Sequence, residues 1–455
     1  VQLSPHCFNK ISGLLEELGN SYLEFHDDPA LYVKRRSCRG LPPGIINAPP
    51  DLIQEASEKH RKAEPCIFQL HYTAKSKTLM VEVSDIIMRL NNLNCVLSEL
   101  QPIIEASVYE YVNLRLRQLF QSDASQIDPF DFHKDIFVPI LKRRIKYFKS
   151  GFSKRVFEFP VVAFKLANEI QLSSNISLVE INPETFNEVD SRFMARFSKT
   201  RVYDVNFYLK VSIPTRCSDE CSRNLARRVE GAMVGCINLI TSYQSSQTVS
   251  FISANERTNH LSSFYRYGKN DKTMEYAQSY SFPTQIPKDD SLWGDLTEGN
   301  KIQGSLANRI LNVPESIIKF SDKKNILLER VERSLTWFRD AVNESDAQVQ
   351  IQKIVTSIEA LVNFSDRDTT QSFIRRIVKL HSSEPDGNDV IEDRAKKLYK
   401  ARSNIVHGSS LDERLDFSLI DFASKCVALG VVCYSMFGLG EPKNSKKIKA
   451  WLDSL

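Results

Sequence analysis

The chain lacks most of the residue patterns that announce a common chemistry. Its nine cysteines are odd in number, scattered, and free of any CxxC pair. That argues against a disulfide framework or zinc ribbon and predicts a reducing, cytoplasmic setting. Cys217 and Cys221 have three residues between them and no histidine nearby, so ordinary helical cysteines are expected there and no metal site. The first residues carry no charged run followed by an apolar one, so no secretory leader is expected in them. The longest apolar stretch, Cys426 to Phe437, is shorter than the roughly 20 residues of a membrane span and is expected to be a buried or dimer-interface helix. The central region has no glycine-rich phosphate loop, no HExxH and no nucleophile elbow. No cofactor, metal or membrane is therefore expected. A net charge of +4 is too small to name a partner, so any nucleic-acid surface must come from local clustering.

What is present is ordinary for a globular chain: 42% hydrophobic and 25% charged residues over 455 positions, enough for roughly two to four domains. Phe8 to Phe25 predicts a first helix, with Ile11, Leu14, Leu15 and Leu18 on one face. A basic group, Lys34 to Arg36 with Arg39, precedes a Gly/Pro loop, and Asp51 to Glu64 predicts another helix. Met80 to Phe120 predicts a long helical region broken at Pro102, giving an antiparallel pair. Phe130 to Phe148 predicts a helix leading into the densest basic run of the chain. There Lys142, Arg143, Arg144, Lys146, Lys149, Lys154 and Arg155 interleave with Tyr147, Phe148 and Phe152. Cations attract phosphate and aromatic rings stack bases, so this run is a candidate RNA track, and a plain charged helix end is the alternative.

After Arg155 the composition turns to β-branched and aromatic residues. Val156–Phe164, Val202–Ile213, Thr248–Ser253 and Tyr276–Phe282 predict strands, with a helix over Ser218–Thr241. Pro283 to Gly304 predicts a connector, and Ile310 to Phe320 a helix under the next domain. The expected fold class is therefore α+β and multidomain: a mainly helical region over 1–150, a mixed α+β module over 151–304, and an all-α bundle over 305–455.

In that last region Val331, Leu335, Phe338 and Val342 define one helix face, and Ile351, Ile354, Val355, Ile358, Leu361 and Val362 a second, with Glu359 at its border. Phe373 to Leu380 carries Arg375 and Arg376. Farther on, Ile391, Ala395, Leu398, Ile405 and Val406 form an apolar stripe with Arg402 in its middle. A guanidinium cannot shed its charge, so an inward arginine needs an acid, a phosphate or water. Glu359 is the candidate acid, with a solvent-facing role as the alternative. His407 falls off the stripe, and Gly408 is placed to end the helix left-handed, which would let the imidazole turn toward the guanidinium.

The run Arg402-x4-His407 followed by Gly408, with Ser334-Leu335-Thr336-Trp337-Phe338 and Ser357-Ile358-Glu359-Ala360-Leu361 upstream, resembles the HEPN superfamily, in particular its ApeA-like bacterial branch, over roughly Asn325 to Leu455. The resemblance implies a small helical bundle that pairs with a second copy and cuts RNA without metal. It further implies a bacterial anti-phage role in which host RNA, tRNA among it, is cut when a phage-derived or protein trigger is sensed, with the preceding modules as sensor or restraint. In that frame His407 handles protons and Arg402 stabilises the phosphorane, while Asn404 bonds the phosphate or orients the ring. Arg375, Arg376 and Lys400 join Lys142, Arg143 and Arg144 as RNA-binding candidates. Many family members place the polar residue directly after the arginine; here Ser403 stands there and Asn404 one further on. The alternative is a catalytically inactive HEPN bundle that binds RNA, nucleotide or protein.

Overall fold

The computed structural model describes residues 2–27, 73–121, 128–162, 168–180, 207–245, 252–253, 262–265, 275–278, 292–321, 325–344, 346–365, 369–382, 387–408, 415–440 and 445–454. The expected helix over Asp51–Glu64 and the basic group at Lys34–Arg39 lie outside these residues. Two compact units emerge: Val1–Lys154 with Thr215–Ser222, and Arg155–Pro214 with Arg223–Leu455.

The first unit holds helices α1 (Pro5–Asp27), α2 (Ala74–Leu90), α3 (Leu97–Gln121) and α4 (Lys134–Ser150). Ile11, Leu14, Leu15 and Leu18 of α1 are buried, as their spacing requires, beside Val83, Ile87, Ile104, Val108, Phe137 and Leu141. The α2–α3 break falls at Asn91–Val96, while Pro102 sits inside α3. Asn92 takes φ 44°, a left-handed conformation that asparagine tolerates better than most residues, and that is where the chain reverses. The segment Thr215–Ser222 is sewn to this turn: Ser218 N donates to Asn94 O at 2.9 Å, and Glu99 accepts from Glu220 N at 3.0 Å.

The second unit contains a five-stranded sheet and a helical bundle. Strands β1 (Ser153–Val162), β2 (Ile170–Ser173), β3 (Ile176–Glu180), β4 (Phe207–Cys217) and β5 (Ile252–Ser253) lie in the order β2-β3-β4-β1-β5. The β2–β3, β3–β4 and β1–β5 pairs are antiparallel, and Leu178 faces Leu209 across β3 and β4. A separate antiparallel pair joins β6 (Ser262–Tyr265) to β7 (Glu275–Gln278). The expected α+β class is what the structure has. The boundary expected at 304 does not separate compact units, because α5 (Asp219–Ser245) runs buried from Val229 to Ser242 and packs on the bundle.

The expected connector over Pro283–Gly304 contains helix α6 (Leu292–Lys301), whose Trp293 and Leu296 are buried. Helix α7 (Leu306–Lys319) follows, capped by Ser305, and its Glu315 grips the β2–β3 turn through Ser173 Oγ at 2.9 Å and Asn175 Nδ2 at 2.6 Å. The bundle then comprises α8 (Ile326–Val342), α9 (Ala347–Val362), α10 (Thr370–Leu380), α11 (Asn388–Val406), α12 (Leu419–Phe437) and α13 (Ser445–Leu452). Each of the predicted apolar faces of α8 and α9 is buried. Among the described residues one helix, α12, is long and apolar enough to cross a membrane by length and composition; more than half of it is buried against the bundle.

Helix α9 lies at the centre, packed on α8, α10, α11 and α12. Its first turn is capped by Asp346, which accepts from Gln348 N and Val349 N. Its last carbonyls are satisfied by side chains from other helices. Tyr434 Oη donates to Leu361 O at 2.6 Å, Arg376 Nη1 to Val362 O at 2.6 Å, and Arg330 Nη2 to Asn363 O. Two guanidiniums thus meet the negative end of the helix dipole. The Phe364 ring sits with Arg330 at 4.5 Å and Arg376 at 5.3 Å from its centroid.

Candidate functional site

The two upstream segments of the resemblance touch. Ser334 on α8 and Ser357 on α9 are buried with their hydroxyls 3.2 Å apart, and Ser357 Oγ donates to Ser334 O at 2.8 Å. Small hydroxyl side chains let these two helices approach closely while leaving no polar group stranded. That contact fixes the face of α9 on which Glu359 stands, two residues on.

Glu359 is half-buried at the α9–α11 contact. The Tyr399 phenol hydrogen-bonds its carboxylate, the Arg402 guanidinium acts on it through space, and Asn363 Nδ2 donates to Oε1 at 3.3 Å. Desolvation nevertheless outweighs these attractions and holds the carboxyl above its ordinary range. Glu359 and Arg402 are therefore electrostatic neighbours, and no ion pair joins them among the described residues. Tyr399 mediates instead. Its ring centroid lies 6.0 Å from the Arg402 guanidinium carbon and 4.9 Å from the ring of Phe373 on α10, tilted by 53°.

Arg402 is half-buried, as are Ser403 and Asn404, while Lys400 is exposed. Helix α11 ends where the glycine requires. His407 is its C-cap with φ −89°, Gly408 takes φ +67°, and Gly408 N donates to Ile405 O at 3.2 Å. The imidazole is exposed, so the helix end presents it outward. The apolar stripe does not run to the end of the helix, since Val406 is 51% exposed.

The other candidates divide. Arg375 is exposed and pairs with Asp453 at 2.9 Å. Arg376 is a correction: its side chain is 2% exposed, with Nε 2.7 Å from Asp453 Oδ1 and Nη1 on the Val362 carbonyl, so it serves the bundle interior and cannot meet RNA. In the first unit Glu110 takes Arg143 and Arg144 together, Arg144 Nε at 2.9 Å, and the two arginines hold its carboxyl below the ordinary range. Lys142 is exposed.

Sequence reasoning passed over Tyr399, Phe373 and the Ser334–Ser357 contact. Tyr399 stands three residues before Arg402, hence on the same helix face, and that spacing is the signal that could have found it. Cys95, Cys217 and Cys221 lie close enough to interact: the hydrogen bond with Cys217, together with burial, pushes the Cys221 thiol up, and burial beside Glu99 raises Cys95 to about 12. Thiols so held are poor nucleophiles. Among the described residues no group of three or more His, Cys, Asp or Glu is placed to hold a metal ion. No protein-family model, curated protein or solved structure matches the chain.

Proposed function

We propose that this chain is a metal-independent endoribonuclease of the HEPN type. The supporting observation is the build of the α11 terminus. A half-buried guanidinium is steadied by Tyr399 and Glu359 without being consumed by an ion pair, and an exposed imidazole follows at the helix end, freed by a left-handed glycine. Those are the two groups that RNA transesterification needs. The 2′-oxygen loses its proton to a base and bonds to phosphorus, the bond from phosphorus to the 5′-oxygen breaks, and the leaving oxygen takes a proton from an acid. A histidine suits either proton role, and Arg402 suits the phosphorane charge.

One imidazole cannot serve as acid and base in the same step. A homodimer through the bundle supplies the second, and Met436 of α12, 69% exposed, leaves apolar surface for such a contact. Lys400 and Arg375 are the exposed cations of the bundle assigned to substrate. Cytoplasmic RNA, tRNA included, is the proposed target, and anti-phage defence under a phage-derived or protein trigger the proposed setting. The test is RNA incubated with protein in EDTA. Products ending in 2′,3′-cyclic phosphate are expected, and both His407→Ala and Arg402→Ala are expected to abolish them. Cleavage that survives both substitutions defeats the proposal.

A second reading is favoured by the nearness of Glu359 to Arg402: an inactive bundle in which Arg402 is an interior counter-charge and His407 a helix cap. In that case Arg402→Ala lowers stability and no RNA product forms with any variant.

A further inference from the structure

The exposed face of α4 carries charge that the fold does not use. Lys142, Lys146 and Lys149 recur at i, i+4 and i+7, so they form one stripe along the helix, and each is exposed with no carboxylate partner among the described residues. Lys149, in the last turn, complements the helix dipole; Lys142 and Lys146 stand too far back for that. Lys154, at the start of β1, is exposed as well. The contrast with the neighbouring arginines is informative, because Glu110 of α3 pairs with both Arg143 and Arg144. The acid within reach of α4 is therefore given to the arginines, and the lysines are left without one.

Tyr147, 83% exposed, stands about a quarter-turn round the helix from Lys146, on the flank of the stripe. A large aromatic ring held in water on a rigid helix contributes nothing to the core, which α4 fills with Phe137, Ile140, Leu141 and Ile145. Unbalanced cations spaced along an axis, with a ring at their edge, match the chemistry of a single strand: phosphates along the lysines and an unpaired base on the ring. A duplex keeps its bases stacked and has none to offer the tyrosine. A membrane surface would need an exposed apolar face to insert, and that face of α4 is buried in the unit's own core.

We infer that the α4 surface made by the Lys142, Lys146 and Lys149 stripe and the flanking Tyr147 binds single-stranded RNA through its phosphates and one stacked base. This deepens the ribonuclease reading by giving the substrate a holding surface in the first unit, and it stands or falls by binding alone. The full chain carrying His407→Ala, which is expected not to cut, is titrated with a fluorescent single-stranded RNA in EDTA at several salt concentrations. Three phosphate contacts predict that log K falls with log salt with a slope contribution of about −2. The triple variant Lys142→Ala, Lys146→Ala, Lys149→Ala loses that much slope, and Tyr147→Ala weakens binding roughly 5- to 150-fold with the slope unchanged. Hairpin duplex RNA without a single-stranded segment binds more weakly and does not respond to Tyr147→Ala. Circular dichroism of each variant checks that the exposed substitutions leave the fold intact. Binding that ignores the triple substitution, absence of binding by the parent chain, or preference for anionic vesicles over RNA each overturns the inference. Binding through α4 in this assay, together with a wild-type chain that never cuts RNA, removes the nuclease proposal and leaves this one standing.

Discussion

A Cβ placed on Gly235 would lie 2.8 Å from the Leu335 carbonyl oxygen, and one on Gly231, a turn earlier, 2.8 Å from Nη1 of Arg339. Glycine in mid-helix costs helix propensity, roughly 1 kcal/mol relative to alanine. Here it lets α5 come against the backbone of α8. Gly235→Ala is expected to destabilise the protein by about 1–3 kcal/mol, because the obstacle is main chain and cannot swing aside. Gly231→Ala meets only the end of an arginine and should cost less. Gly13→Ala, with nothing within 4 Å, should raise stability by about 0.5–1 kcal/mol. Chemical denaturation of the three variants checks the order.

Glu359 yields a pH prediction. Its folded-state carboxyl titrates above its unfolded value, so the folded state binds the proton more tightly. Its contribution is fully present below the unfolded pKa of about 4.3 and is lost as pH rises through the folded value. Glu359→Gln, which keeps shape and removes the charge, should therefore match or exceed wild-type stability at pH 7 and fall behind, or lose its advantage, near pH 4. Thermal melts at both pH values decide; a large loss for the glutamine variant at pH 7 would show the Arg402 attraction winning over desolvation.

Gly408 has open space around its missing side chain and a φ of +67°, so only backbone strain penalises a substitution there. Gly408→Ala should cost about 1–2 kcal/mol, and Gly408→Asn markedly less, because asparagine visits this conformation. If the α11 terminus cuts RNA, alanine should lower the rate and asparagine retain most of it. Equal loss in both would separate the rate from the backbone angle.

Asp453 holds the buried Arg376, and that pairing keeps its carboxyl below the ordinary range. The stability it supplies is present above the unfolded pKa of about 3.9 and lost as pH falls through the lower folded value. Asp453→Ala should cost about 3 kcal/mol at pH 7, the lower end for breaking a buried pair, since Arg376 keeps the Val362 carbonyl. Arg375→Ala, which removes an exposed partner of the same acid, should cost under about 1 kcal/mol.

The bundle helices were legible because their apolar residues repeat over many turns, as Val331, Leu335, Phe338 and Val342 do. The ending of α11 at Gly408 was legible too, since few residues other than glycine favour the left-handed turn. Short elements were not: α6 is ten residues long with Trp293 and Leu296 buried, and β2 is four residues long, too brief for periodicity to separate it from loop. In sequence Arg376 reads as a surface cation because its acid stands 77 residues away. Yet it falls on the same face as Phe373 and Leu380, so the reasoning that singled out Arg402 on an apolar stripe applied to it equally.

That separation in the chain has a consequence for synthesis. A ribosome adding about 5–20 residues per second makes Arg376 roughly 4 to 15 s before Asp453. Over that interval the nascent α10 carries a cation with no acid to receive it, and for most of it the Leu361 carbonyl of the central helix still waits for Tyr434. The bundle is thus expected to lock late, from its far end, with chaperones meeting it in an open form.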